Sequence, residues 1–321
     1  MMPPDGGVWS HSTGRRPRTV AGGDDAARSA GHGLWASAAH GYRRGPMELS
    51  EILDLADHGR DVFVGVGPRY PWGGLYGGQI VAQALIAAAA TVSDELDVHS
   101  LRAYFIRRGD HDEPVRYEVD RIRDGRSFVT RRVVARQAVG AILNLEASFQ
   151  RDETSVDVEA LGLPPDLPTP DVLEQSSWTP VFQRSFVPVD RVPATTASGS
   201  RGRATAWLRA NGQVGERGVD HAAALAYMSD DLPTDAVVQV HPVRSEPDEV
   251  LHAALFTASL DHTIWFHRPM RADEWHLHDF FCHTFVGGRG LSLGHVFDAD
   301  GTHVATVAQE VLLRDTRDRS V

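Results

Sequence analysis

Gly73-Gly-Leu-Tyr-Gly-Gly-Gln-Ile-Val-Ala-Gln-Ala-Leu-Ile-Ala-Ala-Ala-Ala-Thr-Val92 is the stretch that decides the architecture. A glycine-rich approach leads into residues 80–92, which are alanine, isoleucine, leucine and valine on every side except at Gln83 and the terminal Thr91. A helix that is apolar all round is a buried helix. The chain then changes period. Residues 99–106, 115–123 and 127–137 alternate with β-branched and aromatic side chains, the pattern of half-buried strands. Asp124-Gly125 separates the second from the third as a hairpin turn, since these residues tolerate the positive φ of a tight turn. Residues 141–151 complete an antiparallel sheet. One buried helix followed by a meander is the order expected of a sheet curled around that helix, which makes the class α+β.

Outward from this core, residues 48–58 read as a short amphipathic helix on Ile52, Leu53, Leu55 and Ala56. Residues 1–46 are rich in Gly, Ser, Arg, Ala and His, lack periodicity and contain no apolar run of a secretory signal. They are expected to be a disordered tail or an extension ahead of a start at Met47, in preference to a targeting segment. Downstream, residues 152–202 are rich in Pro, Thr, Ser and Asp and read as a linker. The pattern then restarts with a strand at 205–209, an alanine-rich helix at 219–228, and strands at 255–259, 264–267, 275–284, 291–297 and 302–313. Asp300-Gly301 joins the last pair. Gly125-Arg126 and Gly288-Arg289 each introduce a strand, a hairpin and a strand ending in Phe149-Gln150 or Ala308-Gln309, so the second half repeats the first. The expected domains are 47–151 and 203–315.

The chain has 321 residues, 42% of them hydrophobic, enough for one large or two ordinary cores. Its formal charge of -11 argues against a nucleic-acid or anionic-membrane surface. No stretch approaches the roughly 20 apolar residues of a membrane span. Cys282 is the only cysteine, which excludes an internal disulfide and a multi-cysteine zinc site and suits a reducing cytoplasm.

Chemistry-bearing groups concentrate in Ser259-Leu-Asp-His-Thr-Ile-Trp-Phe-His-Arg-Pro269, where acid, hydroxyl, imidazole and guanidinium side chains are crowded together. Gly290-Leu-Ser-Leu-Gly294 matches the spacing of a nucleophile elbow, but Ser292 falls in an alternating strand and not between a strand and a helix. His276, His278, Cys282 and His283 share a strand, where histidines are more often structural than ligands, so no metal is expected. Gly77, Gly78 and Gln79 precede the buried helix. Their backbone amides lie where a helix has no internal acceptor, which makes them candidates for holding substrate or an oxyanion, and the glycines equally suit close packing.

Taken together, several strings resemble the type II acyl-CoA thioesterases. They are Leu75-Tyr-Gly-Gly-Gln-Ile-Val-Ala-Gln-Ala84, Val98-His-Ser-Leu-Arg-Ala-Tyr-Phe105, Arg123-Asp-Gly-Arg-Ser-Phe128 and Ala147-Ser-Phe-Gln150 in the first half. In the second they are Leu225-Ala-Tyr-Met-Ser-Asp230, Leu260-Asp-His-Thr-Ile-Trp-Phe-His-Arg-Pro269 and Gln309-Glu310. The resemblance implies a double hotdog, two antiparallel sheets each wrapped around a central helix. It also implies hydrolysis of fatty acyl-CoA to fatty acid and CoA, without cofactor, metal or covalent intermediate. Carried over by motif, the residues that hold and activate water are Asp230, Ser259 and Gln309. The family's usual hydroxyl is threonine, so Ser259 departs from it by losing a methyl that restricts the rotamer. The Asp230-Asp231 pair is a second departure: a like charge alongside either raises a carboxylate pKa or points outward. Asp261, His262, His267 and Arg268 have structural and substrate-orienting readings of equal weight and stay outside the catalytic set.

The partner expected from the resemblance is acyl-CoA, with further homo-oligomerisation left open. Rival readings are a non-catalytic acyl-CoA binding protein, a hotdog hydratase or dehydratase acting on enoyl thioesters, and a serine esterase using Ser292. Arg319-Ser320-Val321 does not match the Ser-Lys-Leu address of the family's peroxisomal members, which leaves the cytoplasm as the expected location.

Overall fold

Two helices meet at the centre of the molecule, one from each half of the chain, and a single antiparallel sheet wraps them. The computed structural model describes residues 47–192, 202–245, 251 and 254–317. The tail expected at 1–46 lies outside these residues. In chain order the elements are α1 (Leu49–Leu53), β1 (Ala56–Asp57), β2 (Val62–Gly65), α2 (Gly77–Ala89), β3 (Leu96–Phe105), β4 (Val115–Asp124), β5 (Phe128–Gln137) and β6 (Gly140–Arg151). There follow β7 (Gln175–Ser176), β8 (Phe182–Phe186), β9 (Arg203–Ala210), α3 (Gly218–Met228), α4 (Leu232–Val240), β10 (Leu255–Ser259), β11 (Asp261–Phe266), β12 (His276–Val286), β13 (Arg289–Phe297) and β14 (His303–Asp315).

The internal repeat is visible in the strand order. In the first half the order across the sheet is β4-β5-β6-β3, and in the second it is β12-β13-β14-β11, the same plan of four strands in sequence with the first placed beside the last. The two sets meet where β3 pairs with β11, Leu101 opposite Ile264, so that among the described residues the two expected sheets are one continuous sheet of fourteen strands. This is the double hotdog arrangement. Closing the halves through a paired edge removes two exposed strand edges that would otherwise invite aggregation.

α2 is buried as its composition requires. Ile80, Val81, Ala84, Leu85 and Ala88 belong to one apolar core together with Ala223, Leu225 and Tyr227 of α3. The small side chains of both helices allow their backbones to approach closely. Gln83, the polar exception, is fully buried and satisfied: its Nε2 donates to the carbonyls of Ile52 and Val66 and its Oε1 accepts from Tyr117. It ties α1 and the β2 connection to the central helix. At the other end of α2, the buried Arg131 donates to Thr91 Oγ1 and to the Thr91 carbonyl, satisfying backbone that the end of a helix leaves unpaired.

Three expectations require correction. The 48–58 helix is confined to α1, and Ala56-Asp57 instead pair with β2. Residues 229–254 show no periodic element in the sequence, yet they hold α4, which lies against β9, β12, β13 and β14. Pro233 disguises α4 in the sequence but sits in its first turn, where no intrahelical donor is lost. The stretch 152–202 is not linker throughout, because β7 and β8 pair in register and β8 continues onto β9. Trp178, Phe182 and Arg184 from this stretch are buried.

The Gly290-Leu-Ser-Leu-Gly294 motif has a packing explanation. Gly290, Ser292 and Gly294 face inward from β13, and a Cβ on Gly290 would stand 2.4 Å from Cγ1 of Val237 on α4. Gly290 makes room for the helix and Gly294 for the Phe280 ring of β12, and no strand-to-helix elbow exists at Ser292. Among the described residues, no helix is long and apolar enough to cross a membrane.

Candidate active site

Asp230 lies between α3 and α4, at the break between the two helices of the second half. Ser229 ends α3 as its C-cap, Asp231 precedes α4 as its N-cap, and Asp230 is thereby directed across to the first half. There its Oδ2 accepts a hydrogen bond of 2.9 Å from the backbone amide of Gly78, in the first turn of α2. The position is available only to small residues. A Cβ on Gly77 would stand 2.6 Å from Asp230 Oδ2, and one on Gly78 would stand 2.2 Å from the carbonyl oxygen of Tyr227.

Ser259 and Gln309 reach Asp230 through an irregularity in the sheet. β10 pairs with β14 as far as Ser259 opposite Val311, and pairing resumes with Thr263 opposite Ala308. Four steps on one strand against three on the other make a β-bulge, which re-aims side chains at the point where the ladder breaks. At this bulge Ser259 Oγ donates to Asp230 Oδ1 at 2.8 Å, and Gln309 Nε2 donates to Ser259 Oγ at 2.8 Å. Gln309 is fully buried on the core face of β14, between the inward-facing Val307 and Val311. A polar side chain at such a position needs partners on both ends. Its second partner is His262, also fully buried, whose Nδ1 lies 2.5 Å from Gln309 Oε1 and whose Nε2 lies 2.9 Å from Ser229 Oγ.

Burial dominates the electrostatics. Loss of solvent pushes the Asp230 carboxyl up to about 6, against the hydrogen bonds from Ser259, Gln309 and Gly78 that favour the ionised form; the Asp231 charge adds to the rise as the least of these influences. His262 is pushed down to about 4 by the same loss of solvent, so its imidazole is neutral at physiological pH. Asp231 does not point outward. It accepts from Trp178 Nε1 and from Arg184 Nη1, each at 2.6 Å, and both donors come from the stretch read as linker.

The structure therefore brings Asp230, Ser259 and Gln309 together and sets Gly77 and Gly78 against them. The side chain of Gln79 points elsewhere: its Oε1 accepts from Tyr70, whose hydroxyl is 3.0 Å from that of Tyr227. Tyr76 packs between Trp178 and Tyr227, with ring centroids 5.1 and 5.0 Å away, so one side of the site is aromatic. Sequence reasoning missed Ser229, Trp178 and Arg184 and left His262 aside. The usable signal was the alternation in Phe182-Gln-Arg-Ser-Phe186, which proline-rich flanks concealed.

The arrangement suits proton abstraction from a positioned water. A carboxylate with a pKa near neutrality is a competent base. The two polar side chains beside it, Ser259 and Gln309, fix the position of that carboxylate.

The acyl-CoA thioesterase N-terminal domain family matches residues 67–150, and the acyl-CoA thioesterase C-terminal domain family matches residues 159–313. The chain is similar to acyl-coenzyme A thioesterase 8 of Homo sapiens, at 33% identity over 83% of this chain and 88% of that protein. It is also similar to acyl-CoA thioesterase 2 of Haemophilus influenzae, at 31% identity over 84% and 95%. Among solved structures, an acyl-CoA thioesterase II from Mycobacterium marinum superposes with a TM-score of 0.71 at 34% identity, covering 85% of this chain and 99% of that one.

Proposed function

We propose, from the premise that this chain belongs to the type II acyl-CoA thioesterase family and is a thioester hydrolase, that it cleaves fatty acyl-CoA by direct attack of a water activated by Asp230. The observation that carries this reading is the convergence of Ser259 and the Gly78 amide on the two oxygens of a buried carboxyl whose pKa is about 6.

Asp230 takes a proton from the water as its oxygen bonds to the thioester carbonyl carbon, and Ser259 and Gln309 orient that water. The tetrahedral intermediate collapses with cleavage of the carbon–sulfur bond. The CoA thiolate leaves with the electron pair, takes the proton back from Asp230, and the fatty acid is released. A thiolate is a good leaving group, so no separate strong acid is required. The Gly78 amide is committed to Asp230 and is not available to the carbonyl oxygen. The Gly77 and Gln79 amides of the same helical turn have no intrahelical acceptor and are the donors we assign to the developing oxyanion.

The test is thiol release from acyl-CoA esters of increasing chain length by wild type, Asp230→Asn and Ser292→Ala. The reading requires turnover by wild type and Ser292→Ala and its near loss in Asp230→Asn. Saturable acyl-CoA binding with no thiol release by wild type would instead indicate a binding protein.

A further inference from the structure

The buried groups behind Ser259 have only one consistent assignment of hydrogens. Ser259 Oγ–H donates to the Asp230 carboxylate, so Oγ is left to accept. Gln309 must then present its NH2 to Ser259, which turns its carbonyl oxygen toward His262. A carbonyl can only accept, so Nδ1 of His262 must carry the hydrogen. In a neutral imidazole Nε2 is then an acceptor, and its partner, Ser229 Oγ at 2.9 Å, must donate. The alternative acceptor for the Ser229 hydroxyl, the Ala226 carbonyl at 3.4 Å, is the weaker partner.

The result is a chain of donors running in one direction: Ser229 to His262, His262 to Gln309, Gln309 to Ser259, and Ser259 to Asp230. It begins and ends on adjacent residues of the α3–α4 break and passes through β11, β14 and the end of β10. Without His262, the Gln309 amide would be held only at its NH2 end, by Ser259 and Asp230, and its carbonyl would lose the donor that resists rotation by half a turn. A rotated amide would aim its carbonyl at Ser259, compete for the serine hydrogen and draw it away from Asp230.

We propose that His262 is a positioning residue of the reaction, fixing the orientation of the Gln309 amide through its Nδ1–H and so holding Ser259 and Asp230 in the state that activates water. The proposal rests on the reading of Asp230 as the base. His262 does not touch substrate in this role and acts through two intermediates. Burial supports it by keeping the imidazole neutral, since an imidazolium would lose the acceptor that Ser229 requires.

Two substitutions separate positioning from packing, because the amide of asparagine falls where Nδ1 lies and that of glutamine where Nε2 lies. Thiol release is measured on wild type, His262→Asn, His262→Gln and Asp230→Asn with one saturating acyl-CoA, with thermal unfolding as the check on folding. His262→Asn keeps a donor for Gln309 and is expected to retain kcat within about threefold, whereas His262→Gln is expected to lose about tenfold or more in kcat with little change in KM. Equal kcat in the two variants, high or low, overturns the proposal. If Asp230→Asn itself retains turnover, the base assignment fails, and that failure is separate from any result at His262. A measurement on the unmodified protein guards against misfolding of the variants. Nitrogen-15 NMR of the histidine rings should show His262 as the Nδ1–H tautomer, and an Nε2–H tautomer overturns the proposal.

Discussion

The backbone amide of Gly78 donates to Oδ2 of Asp230 at 2.9 Å across 152 residues of chain. This bond makes the site a property of both halves. The second half supplies Asp230, Ser259 and Gln309, but the first half orients the carboxylate through the end of its central helix, where a negative charge is favoured. A substitution at the α2 start should therefore damage a site whose side chains all lie elsewhere.

Gly78→Ala tests this directly. The added methyl would fall 2.2 Å from the Tyr227 carbonyl oxygen, so α2 and α3 must separate. Overpacking of this kind costs about 1–3 kcal/mol, and thermal unfolding should show a loss in that range together with a fall in kcat. Unchanged stability and activity would mean that the helices separate without cost.

The activity of the enzyme should follow the ionisation of Asp230. The base is competent only when deprotonated, so kcat/KM should fall tenfold per pH unit on the acid side of about 6, and plateau above 7. A limb near the ordinary carboxylate value of 3.8 would show that the carboxyl is better solvated than its burial implies.

The same raised pKa makes Asp230 a cost to the fold. A carboxyl protonated in the folded state to about 6 but in the unfolded chain only to 3.8 favours the fold at low pH, and that contribution is lost as pH rises between these values. The rise corresponds to about 3 kcal/mol. His262 acts with the opposite sign, because its depressed pKa of about 4 costs stability as pH falls below 6.5, which partly conceals the effect in the wild type. The difference between wild type and Asp230→Asn isolates the aspartate. Denaturant unfolding at pH 4 and pH 7 should show the variant gaining on wild type at the higher pH.

Asp231 and Arg184 form a buried pair with side chains 2% and 1% exposed. Arg184→Met strands the Asp231 carboxylate with Trp178 as its remaining donor and should cost about 3–5 kcal/mol in urea unfolding. Adding Asp231→Asn should recover most of this, because it removes the stranded charge and keeps an acceptor for Trp178. With the Asp231 charge unneutralised, the acid limb of Arg184→Met should also move to higher pH. Full stability in the single variant would contradict this account of the pair.

Residues 80–92 disclosed a buried helix because apolar side chains surround it, and the strands that follow disclosed themselves by alternation. Both are local periodicities, and burial imposes them residue by residue. α4 and β8 were hidden because Pro233 and the proline-rich flanks of residues 175–186 break local periodicity while tertiary packing supplies the stability. The choice of Asp230, Ser259 and Gln309 came through resemblance, since each residue alone has an ordinary structural use.

The sequence by itself determined the class of the fold, the duplication and the family, because apolar period and short residue strings carry that information locally. Only the tertiary structure decided that a bulge opposite Gln309 turns Ser259 toward Asp230, that His262 stands behind Gln309, and that Arg184 neutralises Asp231. These depend on register between strands and on contacts across the two halves, which no local pattern specifies. The raised pKa of Asp230 belongs with them, because it comes from exclusion of water by residues far apart in the chain.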